Sequence, residues 1–243
     1  MKRMKVALSL IGAGLLGLGL VGLRSLSESR PTVRPGKIDQ RILRAMRMIE
    51  KMPNSADGYN QLASAYMQKA RETADFDLNT NADDVITQSL AVEPDNYDAL
   101  KLRVKLQLTF HRFSDALETA HRAQAVRTDD HDVWGQITDA LVELGDYAGA
   151  VNAAQKMVDL RPDSSSYARV SYLRSLHGDT QGAIEAMIAA LKSANPNDPE
   201  AVAWCHVQLG NELINAGRAD AGEREFDEAL RIFPDHPLAL RAK

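Results

Sequence analysis

One spacing constrains this chain more than any other feature: a pattern of large, small and turn-forming residues recurs about every 34 positions. The clearest copy, 131–163, carries Trp134, Ile137, Thr138 and Leu141, then Gly145-Asp146-Tyr147, then Ala150, Ala154, Met157 and Pro162. The copy over 203–236 repeats it with Leu209-Gly210, Leu213, Gly217, Gly222, Phe226, Ala229-Leu230 and Pro234. Tyr59, Leu62-Ala63 and Tyr66 open another over 56–96, which closes on Ala82, Ile86, Leu90 and Pro94 and is lengthened by the stretch 71–80, expected to be a long loop and an inert insertion rather than a contact site. Two further copies, 97–130 and 164–202, complete the series, and 38–55 supplies only a second half. The apolar residues of each unit follow helical spacing, with a break near the middle and proline near the end. The expectation is an all-α chain of helix pairs.

One such pair cannot bury its apolar side alone, so neighbouring units must stack into a continuous core. Small residues such as Ala150, Ala183 and Gly222 let the two helices of a unit approach, while Tyr59, Trp134 and Leu209 fill the space between them. Over residues 38–243 this pattern resembles the tetratricopeptide repeat family, with departures: Arg103-Val104 replaces the Leu-Gly pair, Thr128 stands in place of proline, and Arg174 in place of tyrosine. The resemblance implies a right-handed helix-turn-helix solenoid that works as a scaffold, with first helices lining a concave face that binds a protein or peptide partner. It places candidate partner-binding residues Tyr172, Trp204, Val207 and Asn211 on that face between the last two repeats. The Lys/Asn clamp of related co-chaperones is absent: the matching positions hold Asn60, then Ser64, Leu102, Asp132 and Gln136. At the C-terminus, 237–243 looks too short to cover the last complete helix, so Phe226, Leu230 and Ile232 are expected to leave an apolar strip for self-association or docking.

Ahead of the repeats, Lys2, Arg3 and Lys5 precede an uncharged apolar run over 6–23 that ends at Arg24. Residues 1–24 therefore read as a signal anchor or a signal peptide, and 25–37 as a linker. With no Ala-x-Ala near its end, the run is expected to stay as a hydrophobic membrane helix, giving a membrane-anchored protein with repeats on the periplasmic side of a bacterial cell. An organelle-surface receptor or adaptor with cytosolic repeats is the alternative, since the flanking positive charges balance. Gly12, Gly14 and Gly17 match a dinucleotide fingerprint, but a proline-containing linker follows where a second strand and an acidic residue are required.

Charge and chemistry exclude other classes. Residues 57–243 carry eighteen Lys/Arg against thirty Asp/Glu, the wrong sign for a nucleic-acid surface. The single cysteine, Cys205, cannot make an internal disulfide, and its neighbour His206 points about 100° away on a helix, so a buried structural thiol is expected. Six scattered histidines lack metal-site spacing, and Asp129-Asp130-His131-Asp132 reads as a solvated turn between units. No catalytic, metal or cofactor-binding residue is expected, and the chain is not expected to be an enzyme.

Overall fold

The computed structural model describes residues 36–73 and 75–243. Helix α1 (Lys37–Lys51) has no first helix of its own and packs on the helix that follows it. Five pairs follow: α2 (Ala56–Thr73) with α3 (Asp77–Val92), α4 (Tyr97–Thr109) with α5 (Phe113–Val126), α6 (His131–Glu143) with α7 (Tyr147–Leu160), α8 (Ser164–Leu176) with α9 (Thr180–Ser193), and α10 (Pro199–Asn215) with α11 (Ala219–Ile232). A short α12 (Pro237–Ala242) ends the described chain, and there is no strand among the described residues. The apolar run 6–23 lies outside the described residues; among those described, no helix is long and apolar enough to cross a membrane.

Four of the five turns inside the pairs share one hydrogen-bonded motif. After α6, Gly145 N–H donates to Val142 C=O and Asp146 N–H to Leu141 C=O, at 3.0 and 2.9 Å, while Gly145 takes φ +79°. This double bond closes a helix on a left-handed residue. The carboxylate of Asp146 then accepts from Gly149 N–H at 2.9 Å, so one Gly-Asp step stops α6 and starts α7. Gly178-Asp179 does the same between α8 and α9. Between α4 and α5 the left-handed position is taken by His111, at φ +56°, where a Cβ is unfavourable by about 1 kcal/mol or more. His111→Gly is accordingly expected to stabilise the chain by about 1 kcal/mol in urea unfolding; an unchanged midpoint would mean that the edge-on contact of the His111 ring with Phe113 compensates.

Stacking also sets the curvature. Each first helix touches the next first helix, α2 on α4, α4 on α6, α6 on α8 and α8 on α10, whereas no two second helices meet among the described residues. First helices therefore form the inner layer. Apolar clusters run between successive pairs: Tyr59, Leu62 and Ile86 in the first, Leu100, Val104 and Ile137 in the middle, Leu209 and Leu213 with Met187 further on.

Three expectations are corrected here. The extra length at 71–80 is not a long loop, because α2 continues to Thr73 and α3 begins at Asp77. The last first helix starts at Pro199, inside the unit assigned to 164–202, because Asp198 caps it on Ala201 N–H at 3.1 Å and proline fits the first turn. At the end, α12 covers what was expected to be bare: Ala239 is fully buried, and Phe226, 1% exposed, packs with it, with Leu230 and Ile232 partly buried alongside. That cover takes Phe226 out of the strip, and leaves Leu238 and Leu240 of the covering helix exposed.

Candidate partner-binding groove

Inside the curve the first helices surround a cavity of about 830 Å³. Its wall is continuous from Arg71 on α2 through Lys105 on α4, Asp139 on α6 and Tyr172 on α8 to Trp204 on α10. Arg71 reaches it because α2 has the extra turn. The lengthened first unit is thus part of the groove rather than an idle insertion. That size falls in the range of ligand-accepting clefts.

The four residues singled out from the sequence divide. Tyr172 and Trp204 both line the cavity and are 50% and 36% exposed. Val207 does not belong to any free surface: at 2% exposure it packs with Phe226, Ala229 and Ala239. Its position within the unit matches Asn60 and Lys101, both of which reach the next unit, and Val207 meets α12 in the same way. Asn211 is exposed but does not line the cavity. Asn60, the one residue that matched a co-chaperone clamp, is spent internally: its side chain donates to Asn96 Oδ1 at 2.8 Å and accepts from Ser89 Oγ at 2.7 Å. The sequence reading overlooked Lys105 and Arg169, though the period places both on first helices.

Most charges of the groove cancel locally. Arg169 grips Asp139 with two hydrogen bonds, at 2.6 and 2.8 Å, and also donates to Gly135 C=O. Lys101 lies 2.6 Å from Asp130 and 3.2 Å from Asp132. Lys105 differs: burial and then the Arg71 charge push its pKa below the ordinary lysine value. Cys205, also on the wall, is 1% exposed, and burial raises its thiol to about 11, which keeps it protonated and unreactive at neutral pH.

The junction at 129–132 is not the solvated turn expected. His131 is 7% exposed, with Nε2 3.1 Å from Asp132 Oδ1 and 3.3 Å from Asp163 Oδ2 of the next unit. Asp130 caps α6 on Asp132 N–H and accepts from Tyr97 O–H at 2.7 Å. Burial acts to raise the Asp130 pKa, but the Lys101 ammonium, the Tyr97 hydroxyl and the Asp132 N–H outweigh it and hold the carboxyl at about 2. A depressed folded-state pKa stabilises above the unfolded value, 3.8, and the gain vanishes as pH falls from there through about 2. That is about 2 kcal/mol for this group, three-quarters or more of it expected to disappear between pH 4 and pH 2. Asp130→Asn should keep the cap and flatten the stability profile over that window; profiles of wild type and variant that run parallel would assign the acid sensitivity to other carboxylates.

No family model matches the chain. Protein FlbA of Caulobacter vibrioides (strain ATCC 19089 / CIP 103742 / CB 15) is 27% identical over 129 residues, which are 51% of this chain and 21% of that protein, so the chain spans about a fifth of its length. Among solved structures, the APC/C hetero-tetramer Cut9-Hcn1 superposes with a TM-score of 0.71 at 15% identity, over 82% of this chain and 37% of that one. A tetratricopeptide repeat protein from Parabacteroides merdae gives 0.67 at 14% identity, over 82% and 73% of the two chains. The tetratricopeptide protein TTC0263 of Thermus thermophilus gives 0.63 at 18%, over 74% and 96%. With these likenesses, the five stacked pairs and the hydrogen-bonded turn shared by four of them, the chain has the tetratricopeptide-repeat fold.

Proposed function

We propose that this protein is a scaffold that binds a segment of a partner protein in its concave groove, contacted by Tyr172 and Trp204. The observation that carries the reading is the pair of half-exposed aromatic side chains on one wall of an 830 Å³ cavity, since aromatics on an accessible concave surface are strong anchors for a partner. Residues 6–23 anchor the scaffold in a membrane, and the repeats work on the periplasmic side of a bacterial envelope, in the assembly of an envelope complex. The uncharged apolar run with basic flanks supports that location.

A photo-crosslinking residue at position 172, compared with one at Lys156 on the opposite helix layer, tests the groove in cells. Adducts should form at 172 and not at 156, and Trp204→Ala should reduce them about tenfold or more while the melting temperature stays within a few degrees. Equal adducts at both positions would dispose of the groove as the binding surface. Intact mass of the mature chain tests the anchor, for which retention of residues 6–23 is the expected result.

A further inference from the structure

Four basic side chains line the connected concave surface: Arg71, Lys101, Lys105 and Arg169. Lys101 and Arg169 are neutralised by Asp130, Asp132 and Asp139. Among the described residues, Arg71 and Lys105 make no ion pair; Arg71 donates only to Met67 C=O of its own helix. The two lie close enough for the Arg71 charge to act on Lys105. Both side chains are exposed, and the Asp132 charge only partly offsets the push of burial and Arg71 on Lys105; two neighbouring like charges repel one another in the empty groove, and an anionic ligand relieves that repulsion. The opposite end carries the reverse sign: Asp198 and Glu200 open α10 beside Trp204.

Resting on the groove reading above, we propose that the partner segment is acidic: an extended peptide that sets adjacent Asp or Glu side chains against Arg71 and Lys105 and lays an apolar side chain against Tyr172 and Trp204. The polarity follows from the carboxylates at α10, which repel an acidic residue placed at the aromatic end. This specificity runs against the chain's general field, since residues 57–243 carry thirty Asp/Glu against eighteen Lys/Arg and attract basic peptides. Selection of an acidic segment therefore requires a local site.

The test pans a random linear peptide library, displayed on phage, against the full chain. Recovered peptides should be enriched several-fold in Asp and Glu, with an apolar residue on one side of the acidic block. A synthetic copy should bind about tenfold more weakly when its Glu residues become Gln, and equally more weakly to the Arg71→Gln/Lys105→Gln variant, with a flatter dependence on salt. Neither side chain has an ion-pair partner to lose and their mutual repulsion is removed, so the variant should melt no lower than the wild type. Peptides captured in a Trp204-dependent way but enriched in Lys and Arg, or in no charge at all, overturn the acidic partner and leave the groove standing. Capture indifferent to Trp204→Ala and Tyr172→Ala, or no capture, overturns both.

Discussion

Phe226→Ala is expected to cost about 3–5 kcal/mol, the loss typical of emptying a fully buried aromatic site. Phe226 is 1% exposed and is the largest of the fully buried side chains. It sits on α11 against α10 and α12, in a cluster with Val207, Ala203, Ala229 and Ala239. The cavity cannot easily collapse, because Ala203, Ala229 and Ala239 have no longer side chains to move in and α12 has only six residues. Among the described residues, contacts run only between helices one or two places apart along the chain, so the damage should stay at one end. Hydrogen exchange should show protection lost over α10, α11 and α12 and retained over α4 to α7. The same change should abolish partner capture, since Trp204 is carried by α10. Phe226→Leu, which keeps most of the volume, should cost much less, about 1–1.5 kcal/mol. A uniform loss of protection along the chain would mean that the helix pairs unfold as one unit.

The sequence exposes what is encoded locally and hides what depends on a second unit. Gly145-Asp146 and Gly178-Asp179 each stop one helix and start the next within two residues, which makes those pairs legible in the sequence itself. The extra turn of α2 is hidden because the shorter neighbouring units predict an earlier end, although 71–73 contains no helix breaker. Asp198-Pro199-Glu200 is a strong helix start, and it lies ahead of the boundary at 203 that the period alone predicts. Val207 fails for a different reason. Its register position is the one that reaches toward the next unit, and only the placement of α12 against it decides that it is buried. The charge pattern of the groove is likewise invisible, since Arg71, Lys105 and Trp204 are far apart in the chain and meet only because the stacked first helices curve. Pairings such as Asn60 with Asn96 and Tyr97 with Asp130 span 36 and 33 residues, close to one period, so a reading one unit at a time cannot find them.

Gly222→Ala puts two opposing effects in competition at the closest approach of α10 and α11. Alanine is the better helix former by about 1 kcal/mol, so propensity alone predicts a gain. A Cβ on Gly222, however, would lie 2.8 Å from Gly210 C=O and 2.6 Å from Ile214 Cγ1. The Ile214 side chain is 42% exposed and can rotate away, but the carbonyl belongs to the backbone of α10 and cannot. The helices must therefore separate, which loosens the fit of the Phe226 ring against Gly210, where a Cβ would stand 2.5 Å from ring Cε1. Overpacking of this kind costs about 1–3 kcal/mol, and a backbone obstacle puts it toward the upper end, so after the propensity gain of about 1 kcal/mol a net loss of about 1–2 kcal/mol should remain. The obstacle can be identified by a double variant. If Ile214 were the barrier, Ile214→Ala would restore Gly222→Ala; because the carbonyl is the barrier, the two changes should add to within about 0.5 kcal/mol. A Gly222→Ala chain as stable as the wild type would show that α10 slides on α11 at little cost, and the position of Trp204 in the groove would then be set by α8 and α9 alone.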